Sequence, residues 1–198
     1  MTQKPPNAGK GRPKGSLNKT TTAAKEAIAR AAETALGVSD LVVIIGGASV
    51  GDHDLARAAL DALGAELVFS KVAVRPGKPT WFALCDGKPV LGLPGNPASA
   101  LVCARLFLRP ALDTMLGRAG AFPFQAARLR EPLAGNDQRE SYLRAALETD
   151  DAGQAWARCF PAQDSSLLSV FAASDCLVRR AAHAPAAAAG EIVPILKF

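Results

Sequence analysis

LVVIIGGASVGDHD, residues 41–54, is the stretch on which the reading of this chain turns. Its first five residues are apolar and four of them are β-branched, the run expected of a buried parallel strand. A glycine-punctuated loop follows. Behind it Leu55, Ala58, Ala59 and Ala62 fall at helical spacing and predict a helix over residues 53–63. Strand, glycine loop and helix in this order are what an α/β protein uses to hold an anion. Backbone N–H groups point at the charge, and the helix adds its positive N-terminal end.

Two further loops extend the pattern. RPGKP (residues 75–79) follows a strand predicted over residues 66–74. Residues 80–84 and 89–93 flank Asp86-Gly87, a hairpin signal. LPGNPAS (residues 93–99) then leads into a long helix predicted over residues 98–116 and closed by Gly117. Upstream, TAAKEAIARAAETALG (residues 22–37) is helix-forming throughout, with Thr22 as N-cap and Gly37 as the stop. The result is an α/β layout with ligand loops at the carboxyl ends of strands. After Gly117 come short candidate strands at residues 126–129, 142–149, 154–160, 175–180 and 192–196, with one short helix near residues 166–173. Three units are expected: a disordered basic tail (1–21), a partial α/β domain (22–117) and a small, mostly-β, barrel-like domain (118–198).

The 198 residues are 49% hydrophobic, enough for a sizeable core. Seven of the 23 Lys and Arg fall in residues 1–39 against only Glu26 and Glu33, so the net charge of +5 belongs to the tail and the remainder balances. The basic charge therefore does not argue for a nucleic-acid-binding fold. Within the tail, KGRPKGS (residues 10–16) reads as a solvated basic leader or as an AT-hook-like segment for the minor groove; a mitochondrial presequence fits poorly with its prolines and glycines. No apolar run reaches the roughly 20 residues of a membrane helix, and no secretory signal is expected, because the basic N-terminus lacks an apolar core. Cys85, Cys103, Cys159 and Cys176 are scattered and only two histidines are present, which speaks against zinc and suits a reducing cytoplasm.

LVVIIGGASVGDHD, KVAVRPGKP, GLPGNPASALV, RESYLRA and QDSSLLSVFAASDCLV, in this order, resemble the carboxyl half of molybdopterin molybdenumtransferases, the MoeA and gephyrin E-domain family. The resemblance covers residues 24–198. It implies a truncated three-layer, MogA-like molybdopterin-binding domain followed by the small β domain. It also implies the family's reaction, in which adenylylated molybdopterin and molybdate give molybdenum cofactor and AMP, assisted by a divalent cation such as Mg2+. Molybdate is a tetrahedral dianion and the pterin carries phosphate, so such a site needs fixed donors and positive charge.

Carried over by position, Ser49 and the amides of Gly46, Gly47 and Gly51 would hold the pterin phosphate or pyrophosphate. Asp54 would position the metal ion or adenylate, although a first-turn carboxylate complementing a helix dipole is the alternative, and Asp52 reads as that structural group. Arg75, Lys78 and Ser99 would form the molybdate pocket, completed from the second domain by Arg144 and Ser165, with Lys71 a weaker member. Pro76, Pro94, Gly95 and Pro97 would shape the loops, Asn96 is either a ligand-loop residue or the cap of the long helix, and Arg139 reads as a solvated surface charge.

Three departures from the family accompany the match. Full-length members place two further domains and an acidic Gly-Asp-Glu loop before this region. The α/β sheet here is therefore expected to lack about half of its strands and to leave an edge uncovered. Arg75 stands where the family usually has Lys, exchanging a point charge for a planar fork. The missing part of the site would come from a homodimer or from pairing with a full-length paralogue. Failing that, the chain would be a non-catalytic molybdopterin-binding remnant; a DNA-tethered module is the remaining alternative.

Overall fold

The computed structural model describes residues 19–46, 55–118 and 123–198. The KGRPKGS segment and the loop holding Gly47, Ser49, Gly51, Asp52 and Asp54 lie outside the described residues. In chain order the first elements are α1 (Lys19–Val38), β1 (Val42–Ile45), α2 (Leu55–Ala62), β2 (Glu66–Phe69), β3 (Val74–Arg75), β4 (Trp81–Cys85) and β5 (Lys88–Leu93). A single rod follows, made of α3 (Pro97–Cys103), a π-helical segment (Ala104–Leu108) and α4 (Arg109–Met115).

The first sheet has the order β1-β5-β4-β2, with β1 parallel to β5 and the remaining pairs antiparallel. Side chains alternate across it. Val42, Trp81, Ala83, Cys85 and Val90 pack with Ala32 of α1 and Leu60 of α2 on one face. Val43, Phe82, Leu91 and Leu93 meet Ala100, Cys103, Ala104 and Leu108 of the rod on the other. This is a three-layer α/β/α arrangement. One close approach holds it together: the Trp81 ring crosses Gly92 on the paired strand, where an added Cβ would come within 1.9 Å of the ring.

Two strand expectations change. The apolar run before the glycine loop is parallel to β5 as expected, but among the described strands it lies at the sheet edge, and its last residue, Ile45, is 66% exposed. An apolar run reports pairing and burial together and cannot separate a central strand from an edge one. The single strand expected over residues 66–74 is two. β2 stays in the first sheet, whereas β3 leaves it and pairs in parallel with Glu140 and Ser141 across the domain junction.

The rod's π segment ends at Leu108, two residues before Pro110, which has no N–H to give the Leu106 carbonyl and whose ring crowds that carbonyl; widening the turn relieves both problems. The later strands are β6 (Gln125–Leu129), β7 (Glu140–Thr149), β8 (Ala155–Cys159), β9 (Cys176–Arg180) and β10 (Ile192–Lys197), with α5 (Leu168–Ala172) between β8 and β9. β7 pairs with β8, β8 with β6, β6 with β10, β10 with β9, and β9 with β7, so five strands close into a barrel. Its interior is narrow and is filled by small and medium side chains, including Ala127, Ala145, Ala157, Cys176, Val178 and Val193. The rod also packs on this barrel, Val102 and Leu106 meeting Tyr142, Leu177 and Leu196. One helix thus serves as a wall for both cores.

Candidate functional site

The loop between β2 and β4 is closed on itself. The Val72 N–H donates to the Lys78 carbonyl (3.1 Å), and the Thr80 N–H and hydroxyl both donate to the Gly77 carbonyl (2.9 and 2.7 Å). Gly77 has φ +126°, and a Cβ there would lie 2.3 Å from the Cys103 sulfur, so only glycine lets the loop lie on the rod. Burial pushes the Cys103 thiol up to about 11, which makes it a packing group and not a nucleophile. From the other side the barrel grips the same loop, through β3 and through the Glu140 N–H donating to the Ala73 carbonyl (2.9 Å).

This double hold turns Arg75 and Lys78 toward a cleft of about 540 Å3 between sheet and barrel. Lys71 and Arg139 line it too, together with Ser99, Ser165, Asn96, Gln163, Gly46, Pro94 and Gly95. None of the described lining residues is a carboxylate, so four cations face the same space without a counter-charge in the wall. Gly46 has φ +83°, donates its N–H to the Leu93 carbonyl (3.1 Å), and lies backbone to backbone with Gly95. The first and third glycine loops therefore meet at one end of the cleft.

Ser165 arrives from the barrel and docks on the rod. Its carbonyl accepts from the Ala98 N–H (3.1 Å), and its hydroxyl accepts from the Asn96 side-chain amide (2.7 Å). Asn96 occupies the N-cap position of α3 without a side-chain capping bond, because its amide is directed at Ser165. The cap alternative for Asn96 is thus replaced by a bridge between the domains. The Ala98 N–H that could have met an anion is taken by Ser165.

Arg144 corrects an expectation. It is fully buried, 0% exposed, and is not part of the cleft wall. Its N–H and Nε donate to Gln163 Oε1 (3.0 and 3.1 Å) and its Nη1 to the Asp164 carbonyl (2.8 Å). Gln163 Nε2 donates back to the Arg144 carbonyl (3.0 Å) and to that of Phe160 (2.7 Å). The reason is strand parity: Arg144 shares with Tyr142 the face of β7 opposite to the barrel-lining Leu143 and Ala145. The loop carrying Gln163 and Asp164 covers it there, so its guanidinium braces the loop that carries Ser165. Burial lowers the Arg144 pKa, and the nearby Asp164 carboxylate partly offsets this.

Arg139, just ahead of β7, takes the place in the cleft that the sequence reading assigned to Arg144. Both belong to RESYLRA, so the motif was the signal, and only the strand start could tell which arginine faces the cleft. Gln163 opens the QDSSLLSVFAASDCLV stretch, two residues before Ser165, but the sequence assigns it no role. Asp54, expected to hold a metal ion, lies outside the described residues, and no group of three or more His, Cys, Asp or Glu among the described residues could hold one. The described, cation-walled part of the cleft does not fit Mg2+. No helix among the described residues is long and apolar enough to cross a membrane.

Fold and cleft together define an α/β domain with cationic, glycine-rich ligand loops, joined to a closed β-barrel that supplies one wall of the site. Residues 18–114 match the family described as a probable molybdopterin binding domain, and residues 126–198 match the MoeA C-terminal region (domain IV). The chain belongs to the MoeA family and corresponds to its carboxyl-terminal part. A molybdopterin molybdenumtransferase from Staphylococcus aureus (strain Mu50 / ATCC 700699) is 38% identical over 115 residues, covering 58% of this chain and 27% of that protein. The Staphylococcus epidermidis protein of the same name (strain ATCC 12228 / FDA PCI 1200) is 39% identical over 89 residues, covering 45% and 21%. The solved molybdopterin biosynthesis moeA protein from Pyrococcus horikosii superposes with a TM-score of 0.73 at 28% identity, over 98% of this chain and 51% of that one. The chain thus spans about half the length of that structure, and its match covers about a quarter of the Staphylococcus aureus relative.

Proposed function

We propose that the chain acts in molybdenum cofactor biosynthesis as the ligand-binding half of a molybdopterin molybdenumtransferase, taking molybdate and adenylylated molybdopterin in the cleft between sheet and barrel. The observation that carries this reading is the wall of Lys71, Arg75, Lys78 and Arg139, drawn from both domains and free of described carboxylates. A tetrahedral dianion is the ligand chemistry such a wall favours, because several cations at fixed positions stabilise it more than one flexible lysine does. Lys78 and Arg75 would bind the molybdate oxygens, with Ser99 and Ser165 adding hydroxyl donors. Gly46, Gly95 and Pro94 would shape the end of the cleft toward the pterin phosphate. Arg144 acts through Gln163 and Asp164 by keeping Ser165 in place.

In the full reaction, the two pterin thiols would displace oxygen from molybdate, that oxygen leaving as water, and water would cleave the phosphoanhydride so that AMP leaves with its phosphate. The cations would neutralise the charge that gathers on the reacting oxygens. Binding without complete turnover is the second reading, favoured by the uncovered β1 edge among the described strands, where a second copy or a longer paralogue could pair. The test is size-exclusion chromatography of the whole chain with adenylylated molybdopterin, followed by molybdate-dependent cofactor formation with and without a full-length relative. Co-elution of pterin and protein is expected. Lys78→Ala is expected to lower molybdate-dependent turnover by about two orders of magnitude, the size of losing one fixed charge at a reacting oxyanion. Unchanged turnover in that variant would remove Lys78 from the site.

A further inference from the structure

One carboxylate stands directly behind the cleft wall. Arg75 Nη2 donates to Asp137 Oδ2, and Arg139 Nη2 lies 3.6 Å from the same oxygen. The other oxygen, Asp137 Oδ1, accepts from the Arg139 N–H at 2.9 Å. The two arginines belong to different domains, and both line the cleft, whereas Asp137 does not.

Asp137 sits in a loop pinned by several hydrogen bonds, with its side chain 42% exposed. Its carbonyl accepts from the His183 N–H (2.7 Å). The neighbouring Asn136 amide donates to the carbonyls of Arg139 (2.8 Å), Arg180 (3.0 Å) and Ala181 (2.8 Å) and accepts from the Ser141 hydroxyl (2.8 Å). The Arg75 side chain is half exposed and reaches Asp137 from the other domain on a long stem. The Arg139 N–H and the two guanidinium charges hold the Asp137 carboxyl below its ordinary value, so it is ionised at neutral pH. A fixed negative charge thus shares the donors of two cations that face an anion site.

We propose that Asp137 sets the affinity of the cleft, as a fixed carboxylate that competes with a bound oxyanion for the guanidinium groups of Arg75 and Arg139. The inference rests on the reading that the cleft binds an oxyanion. With no ligand, the carboxylate occupies part of the Arg75 fork and offsets the repulsion between the two arginines. An entering dianion must draw donors away from Asp137 or share them, and it feels the carboxylate's charge from behind. The consequence is an affinity held below what four unopposed cations would give, which favours release as well as capture.

The experiment is calorimetric titration of molybdate into the whole chain at constant ionic strength, for the unaltered protein, Asp137→Asn, Arg75→Ala, the Asp137→Asn/Arg75→Ala double variant, and Lys78→Ala. Asp137→Asn keeps the Oδ1 acceptor for the Arg139 N–H, so the loop retains its turn. It is expected to tighten molybdate binding about five-fold, the scale of one unit charge felt through solvent at contact range. Without Arg75 the same substitution should gain less than about two-fold, since the contested fork is gone. Unchanged or weaker binding by Asp137→Asn overturns the proposal, as does an equal gain with and without Arg75. If Lys78→Ala weakens binding while Asp137→Asn leaves it alone, only this inference falls. If no variant binds molybdate, the oxyanion reading of the cleft falls and takes the inference with it.

Discussion

The sheet and the barrel of this chain pair their strands in opposite ways. In the barrel, β7 runs between β8 and β9, and the circuit returns through β10 and β6, so every strand has two neighbours. In the sheet, β1 has β5 on one side and no described strand on the other, and Ile45 at its end is largely exposed. Closure spends a domain's edges on itself, whereas an open edge leaves donors and acceptors for another chain. The cleft lies where these two regimes meet. One wall is a self-sufficient scaffold, and the other belongs to a sheet whose outer strand has spare pairing capacity.

Amide exchange offers the sharpest way to break this contrast. The amides of β1 are expected to exchange at least about a hundredfold faster than those of β9 and β10, since local opening needs only one ladder to part. Equal protection would mean that β1 is covered in solution. Next in size is a pair of glycine substitutions. Gly92→Ala forces a methyl into the Trp81 ring and is expected to cost about 3 kcal/mol in denaturant unfolding. Gly135→Ala, on the barrel side, meets its nearest atom at 3.7 Å and should stay within about 0.5 kcal/mol. Comparable losses in both would show that the sheet is not the tighter-packed partner at that position.

Arg144→Met tests the barrel's share of the cleft. It removes the Nε bond to Gln163, whose Oε1 keeps the backbone N–H of residue 144, and leaves the Asp164 carbonyl without its buried donor, with an expected cost of about 2 kcal/mol and weaker molybdate binding through a displaced Ser165. A stable variant with unaltered binding would detach Arg144 from the site altogether. The smallest effect concerns acid. Arg179 holds the Glu140 carboxyl below its ordinary value of 4.5, with Tyr142 donating to it as well. A lowered carboxylate pKa stabilises the fold above pH 4.5, and that contribution fades as pH falls through the lowered folded value. The pair is partly solvated, so Glu140→Gln should flatten the acid limb of the stability curve by less than about 1 kcal/mol.

Much of the barrel was legible in sequence because its strands are short apolar runs separated by polar, glycine- and aspartate-bearing turns. The expected strand over residues 175–180 and the observed β9 differ by one residue. The hairpin over β4 and β5 was equally plain from Asp86-Gly87, where Asp86 itself takes φ +51°. What was not legible is which sheet a strand joins. Val74 and Arg75 continue a β-rich run, yet they pair with the barrel, because the loop closed by Val72 and Lys78 turns the chain across the junction. For the cleft, residue identity was legible and facing was not. Arg139 and Arg144 sit five residues apart in one motif, and the one inside the strand is buried while the one before it lines the cleft. Lys71 was given too little weight and Asp137 none, since a carboxylate that touches two arginines through folding leaves no local pattern.

The rod of α3, the π segment and α4 touches both cores, with Val102 and Leu106 against the barrel and Ala100 and Cys103 against the sheet. In mechanical terms it is the spacer of a vice. The jaws carrying Lys78 and Ser165 are set apart by the girth of a helix whose core-facing residues never meet the ligand. Cleft width is therefore a property of packing volume at positions such as Val102, and the size of anion that the proposed site would admit can drift through substitutions that alter no charge at all.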